Sequence, residues 1–382
     1  VTTAPDKRFE DIRPYNDSEI PAAMQRLAAN PLLDQVSAWL FPERPGETFR
    51  NMLRSVKTNS ELLHQVMYPV VMSIIEKTTA GYTWEGESNI FADRGTLYIS
   101  NHRDIVMDAT LHQLILYKNN FPPGEISFGS NLMEFPILLD LGKSNKMYKV
   151  FRKSENMRQL VKNSRHLSDY MRDRISGGRS LWIAQHDGRS KNGIDKTDPG
   201  LLKMLSMSDK NDLIRALSSL NITPVAVSYE IEPCDILKVK ESWQKIKDGR
   251  YVKAPGEDLV SIVTGITQYK GRVHTTLCPP VTEKDLVPYA GLSPSAFFNT
   301  LAGLIDNRIY RGYKLYGINY AAYDLITGRK EYGDYYTADD QKLLAQRELL
   351  LPQENREILA SMTAMLRELY ANPVKNKIKY GS

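Results

Sequence analysis

The chain has 382 residues, 42% of them hydrophobic and 25% charged, with a formal net charge of +5. That composition excludes a largely disordered chain, and the length allows one large domain with additions or two of ordinary size. The two cysteines, Cys234 and Cys278, offer neither a disulfide framework nor a metal-ligand spacing, which fits a reducing compartment.

No charged segment followed by an apolar core opens the sequence, so no secretory signal is expected. Residues 1–80 read as helical with loops. Short amphipathic pieces over 18–27 and 31–40 are followed by Pro42 and Pro45 as breakers, and a longer helix over 60–79 carries Leu62, Val66, Val70 and Ile74 on a broad apolar face. The most apolar run, 66–75, contains Pro69 and is far shorter than the ~20 residues that span a bilayer. An integral membrane protein is therefore not expected, whereas docking on a membrane surface stays open.

From residue 81 the pattern changes to strands alternating with helices. Strands are predicted over 81–86, 96–100, 125–129, 147–152, 180–184 and 222–229; helices are predicted from near Asp108, over 132–141 and over 155–175, the last ended by Gly177 and Gly178. This alternation predicts an α/β fold, its sheet mixed or largely parallel and flanked by helices, with functional loops at the strand ends. Beyond about residue 290 the chain reads as helical again: Ser293 and Thr337 are predicted caps, and a long helix runs over 352–370. The expected division is an N-terminal helical region (1–80), an α/β domain (81–285) and a C-terminal helical accessory region (286–382).

Charge is unevenly spread. Between Lys143 and Arg174 there are ten Lys or Arg residues against Glu155, Asp169 and Asp173. Such a segment attracts phosphates, acidic proteins or anionic lipids; Arg158, Lys162 and Arg165 also recur at helical spacing, as on any solvated helix face.

The stretch Leu97-Tyr98-Ile99-Ser100-Asn101-His102 places a histidine where a buried strand gives way to a polar turn. An ordered strand fixes such a group and the turn leaves it reachable, which suits a catalytic base. Three later stretches follow in order: Tyr148-Lys149-Val150-Phe151-Arg152-Lys153, then Ile183 to Gly193 with Asp187-Gly188-Arg189 at its centre, then Ile222-Thr223-Pro224-Val225-Ala226-Val227. In order, spacing and strand context the four resemble the sequence blocks of the glycerolipid acyltransferases, the glycerol-3-phosphate and 1-acylglycerol-3-phosphate acyltransferases, over roughly residues 81–280. The resemblance departs from the family in two places. Five residues, not four, separate His102 from Asp108, with Met107 at the expected acidic position, so that either Asp108 or Asp104 supports the histidine; Asp108 is preferred because Asp104 suits a helix N-cap. Asp187 stands where the family usually has Glu.

The resemblance implies an O-acyltransferase that moves a fatty acyl group from acyl carrier protein or acyl-CoA to the hydroxyl of a glycerol-phosphate or lysophospholipid. It implies His102 as general base with Asp108 behind it, and Arg103, Arg152, Asp187, Gly188 and Arg189 as substrate-binding residues. No Gly-x-Ser-x-Gly elbow is present and neither cysteine has a nucleophile's context, so direct transfer is expected without an acyl-enzyme. No cofactor, resident metal or nucleic acid is called for. The expected location is cytoplasmic, or peripheral on the inner face of a membrane. Two other readings of the residues remain open. One is a metal-dependent phosphohydrolase using His102, Asp104, Asp108, His186 and Asp187; the other is an inactive peripheral lipid-binding protein of the same fold.

Overall fold

The computed structural model describes residues 7–43, 46–152, 154–209, 211–353 and 355–380; Pro45, expected as a breaker, and Lys153, in the second block, lie outside them. The chain opens with helices α1 (Ile20–Ala28), α2 (Leu32–Leu40), α3 (Gly46–Ser55) and the single turn α4 (Asn59–Glu61). A π-helical stretch (Leu62–Met67) then leads into α5 (Tyr68–Thr78). α3 is an addition to the sequence expectations. It packs with α1 and the π-helical stretch around Met24, Leu27, Phe49, Leu53 and Leu62.

The central region alternates as expected: β1 (Gly81–Glu85), β2 (Leu97–Ser100), α6 (Met107–Lys118), β3 (Glu125–Gly129), α7 (Pro136–Ser144), β4 (Met147–Val150), α8 (Met157–Ser176), β5 (Leu181–Ala184), α9 (Pro199–Leu205), α10 (Leu213–Ser218) and β6 (Thr223–Tyr229). After α11 (Asp235–Asp248) and α12 (Glu257–Thr267) comes a seventh strand, β7 (Arg272–Leu277). The seven strands form one sheet in the order β1-β7-β6-β2-β5-β3-β4. β6, β2, β5, β3 and β4 run parallel to one another; β7 is antiparallel to β6, and β1 is parallel to β7. The sheet is thus mixed and largely parallel, flanked by helices, which is the predicted fold class.

Parallel strands covered on both faces need apolar residues at consecutive positions. All four residues of β2 and all seven of β6 are buried. Their alternation sorts side chains between two cores. Leu97 and Ile99 of β2 and Leu181 and Ile183 of β5 enter the layer that contains α8, α9 and α14 (Pro294–Gly312), the last of which follows the short α13 (Glu283–Leu286). Tyr98, Trp182, Val225 and Val227 point to the opposite layer, where Leu111, Leu114 and Ile115 of α6 and Val71, Ile74 and Ile75 of α5 cover them.

The remaining helices, α15 (Gly317–Thr327), α16 (Ala338–Glu348) and α17 (Arg356–Tyr380), surround Tyr316, Ile318, Leu344, Leu366 and Tyr370 and reach α11 through Val239. The predicted caps hold: Ser293 accepts from the Ala296 N–H and Thr337 forms a capping box with Asp340. No helix among the described residues is long and apolar enough to cross a membrane.

Candidate active site

Because β2, β4, β5 and β6 are parallel, the segments that leave their C-terminal ends emerge on one edge of the sheet, the edge where open α/β sheets place their sites. Three of the four sequence blocks open onto it. At the end of β2 the side chain of Asn101 takes over from the ladder: its Oδ1 accepts from the Val227 N–H at 2.8 Å and its Nδ2 donates to the Val227 carbonyl at 3.0 Å. The backbone is thereby freed to turn away, and His102 stands at the point of departure. The Ser190 N–H, from the loop after β5, donates to the His102 carbonyl at 2.7 Å and ties the first block to the third.

Asp104 lies two residues before Val106, the N-cap of α6. Its Oδ1 accepts from the N–H groups of Val106 at 2.9 Å and Met107 at 2.7 Å, so its carboxylate satisfies donors at the start of α6. This turn absorbs the additional residue noted in the sequence. It turns Met107 into the apolar core at 1% exposure and places Asp108, in the first turn of α6, facing His102. Asp108 Oδ2 lies 3.0 Å from His102 Nδ1 and also accepts from the N–H groups of Arg103 at 2.6 Å and Asp104 at 2.9 Å; Oδ1 accepts from the Tyr229 hydroxyl at 2.8 Å. An ionised carboxylate can only accept, so the neutral imidazole carries its proton on Nδ1 and leaves the Nε2 lone pair as the basic position. His102 is 8% exposed, and the ring of Trp182 stands nearly perpendicular to it at a centroid distance of 6.1 Å.

Arg103, expected among the substrate-binding residues, has its side chain turned into the protein. Its side chain is 4% exposed and points inward: Nε and Nη2 donate to Asp195 at 3.0 and 2.7 Å, and Nη1 donates to Glu232 at 2.9 Å. Burial opposes its charge, but Asp195 and Glu232 outweigh burial and hold it firmly protonated. The fully buried Lys238 donates to the Arg103 carbonyl at 2.6 Å and pairs with Glu232. Tyr313, just after α14, donates to Asp195. The side chain next to the imidazole therefore serves a charge-balanced buried cluster and braces the turn.

Arg152, Asp187, Gly188 and Arg189 lie on the same sheet edge, at the ends of β4 and β5. β4 stops at Val150, so Arg152 belongs to the following loop; it pairs with the mostly exposed Asp187. A groove of about 340 Å³ lined by Ser130, Asn131, Met133, Glu134, Lys149 and Arg152 opens beside it. Gly188 has φ +76°, the left-handed region that glycine enters without strain, and open space lies where a Cβ would point. Arg189 is 7% exposed. Its Nη2 donates to Ser261 of α12 at 3.0 Å, while Nη1 is buried without a hydrogen-bond partner among the described residues. Asp258, in the first turn of α12, lies near both guanidiniums. A buried guanidinium with an unmet donor is costly unless an anion or water completes it.

His186 is partly buried in the loop after β5, and burial, reinforced by the neighbouring His102 and Arg103, keeps its pKa below the usual histidine value despite Asp195. Asp104 serves the start of α6, Asp108 bonds His102 and Asp187 pairs with Arg152. Among the described residues no three His, Cys, Asp or Glu side chains converge as metal ligands.

Sequence reasoning missed Asp195, Tyr229, Glu232, Lys238 and Ser261. Tyr229 carried a signal, since it ends a predicted strand whose neighbour bears the histidine. Lys238 and Ser261 lie inside helices with nothing local to mark them. The segment expected to be basic is split by the fold: Arg172 bonds Ser208, Ser219 and the Ala216 carbonyl, and Arg174 lies over the Tyr170 ring, whereas Arg158, Lys162 and Arg165 are exposed on the N-terminal half of α8.

No protein-family model matches the chain, and no curated protein matches it. Among solved structures, the 1-acyl-sn-glycerophosphate (LPA) acyltransferase PlsC from Thermotoga maritima is similar over 75% of this chain and 96% of that one, at 14% identity and a TM-score of 0.35. An overlap that loose carries no argument about activity, which has to come from the side chains of the site itself.

Proposed function

We propose that this protein is an O-acyltransferase that moves a fatty acyl group from a thioester donor to the hydroxyl of a phosphate-bearing acceptor such as glycerol phosphate or a lysophospholipid. The observation that carries the reading is His102 with Nδ1 on Asp108 and, among the described residues, no hydrogen-bond partner on Nε2, at the sheet edge where Arg189 keeps a buried donor unmet by those residues. In this reading Nε2 takes the proton of the acceptor hydroxyl as its oxygen attacks the thioester carbonyl carbon. Asp108 stabilises the imidazolium that forms. A carbon–oxygen bond replaces the carbon–sulfur bond, and the departing thiolate receives the proton from His102.

Arg152 holds the acceptor phosphate, which displaces Asp187 from it, and Arg189 Nη1, covered in the free protein, joins the contact when the loop after β5 shifts. That exchange costs little, because Asp187 is mostly exposed and surface ion pairs contribute at most about 1 kcal/mol. The donor is acidic in either form, carrier protein or coenzyme A, and Arg158, Lys162 and Arg165 on α8, beside the exposed Met157, Leu160 and Val161, form the surface that meets it.

The test is a panel of glycerol-phosphate and lysolipid acceptors incubated with acyl-CoA and acyl carrier protein thioesters and read by mass spectrometry. On the acceptor that turns over, His102→Ala should lower the rate about 10²-fold or more. Turnover that persists in that variant at the wild-type rate would refute the reading.

A further inference from the structure

The two carboxylate oxygens of Asp108 are served differently. Oδ2 is held by His102 and two backbone N–H groups; among the described residues Oδ1 has one donor, the Tyr229 hydroxyl at 2.8 Å. Tyr229 ends β6, so the hydroxyl is delivered by a central strand of the sheet, and the side chain is 5% exposed. Its ring packs in the same core layer as Met107 and Trp182, which fixes the position of the hydroxyl oxygen. We propose that Tyr229 is a positioning residue that sets the basicity of His102 through Asp108, an inference that rests on the reading of His102 as the general base.

The sign follows from the geometry. A hydroxyl that donates to Oδ1 stabilises the carboxylate whether or not the imidazole is charged, and so weakens the carboxylate's further gain when the imidazolium forms. The carboxylate is thereby a weaker partner for the imidazolium than it would be without the hydroxyl. Burial, reinforced by Asp108, pushes the ionisation of Tyr229 well up, so its hydroxyl remains a donor throughout the range in which a histidine titrates. The other charged or titratable groups around the pair are Arg103 and Asp104 in the same turn, His186 and Asp195 from the loop after β5, Glu232 after β6, Lys238 on α11 and Lys270 after α12. Arg103, Lys238, Asp195 and Glu232 balance one another, and removal of a neutral hydroxyl leaves all of these charges in place.

The test is an NMR titration of the full chain with isotope-labelled histidines, the His102 signal being identified by its loss in His102→Gln. This readout needs no substrate. In Tyr229→Phe the His102 pKa should rise by about half a unit to one unit. Site-specific 3-fluorotyrosine at position 229, a stronger donor of nearly the same size, should move it the other way, and this second variant decides the matter if the phenylalanine variant does not fold. The acid limb of the pH–rate profile should follow the NMR shift in each case. A His102 pKa that stays within about 0.2 units in a folded variant, or moves with the opposite sign, would overturn the proposal. A loss of rate with no movement of the pKa would overturn it too, since it would leave Tyr229 a merely structural role. Failure of the general-base reading shows elsewhere, as undiminished turnover in His102→Ala.

Discussion

Arg103→Met removes one cation from a buried set of four charges, and the structure fixes what remains. The wild-type guanidinium makes three hydrogen bonds, two to Asp195 and one to Glu232, at 4% exposure. Lys238 is the second cation, in contact with Glu232. Methionine restores most of the volume but leaves one positive charge against two negative ones in a buried setting. Glu232 keeps Lys238, so the loss falls on Asp195, whose remaining side-chain donors are Asn101 Nδ2 and the Tyr313 hydroxyl. Stranding a buried charge in this way costs about 3–5 kcal/mol, a large part of the roughly 5–15 kcal/mol that holds a domain folded. In the wild type, burial raises the Asp195 pKa, but Arg103 and Tyr313 outweigh it and the carboxyl lies below its ordinary value. Its contribution to stability is therefore present above the unfolded carboxylate pKa of about 3.9 and is lost as pH falls through the folded value. Without Arg103 burial dominates, the folded pKa rises above the unfolded one, and the penalty is largest at neutral pH and shrinks as the carboxyl gains a proton. Equilibrium urea unfolding of wild type and variant, at pH 7.5 and again near pH 5, measures both effects. A destabilisation below about 1 kcal/mol at both pH values, or one that grows on acidification, would refute the account.

Where the sequence reading succeeded, local pattern and tertiary environment agreed. β2, β5 and β6 are runs of apolar residues because both of their faces are buried, and their turn residues mark the ends. β7 escaped because Arg272-Val273-His274-Thr275-Thr276-Leu277 carries polar residues that its neighbours satisfy: His274 Nδ1 lies 2.7 Å from the Thr83 hydroxyl, and Thr276 bonds Glu85 and the Gly312 carbonyl. Helix α12 came into the site unannounced. Gly265 lets its backbone approach the carboxylate of Asp104, since a Cβ there would collide with it, and Ser261, one turn earlier, reaches Arg189. In the site, the pairing of His102 with Asp108 was legible because both lie in one strand–turn–helix unit. The role of Arg103 was not, because its partners Asp195 and Glu232 are 92 and 129 positions away and nothing beside the arginine foretells them. The same arginine would have looked identical on the page had it faced a substrate.

Two substitutions separate the proton-transfer and anchoring halves of the proposed site. Asp108→Asn keeps the shape but presents an amide to donors that now meet a carboxylate, and it removes the acceptor that keeps the His102 proton on Nδ1. By the precedent of serine-hydrolase triads, the rate of thioester consumption should fall about 10³- to 10⁴-fold with little change in the acceptor KM; a loss below tenfold would mean that the tautomer is set by something other than Asp108. Arg189→Lys tests the anchor. A guanidinium can hold Ser261 with Nη2 and still offer Nη1 to a phosphate, whereas a lysine has one nitrogen for both. The acceptor KM should therefore rise about tenfold or more while kcat stays within roughly threefold, because an anchor remote from the reacting oxygen holds ground state and transition state alike. If instead the KM is unchanged and only thermal stability falls, Arg189 does no more than tie the loop after β5 to α12, and the phosphate must be held by Arg152 alone.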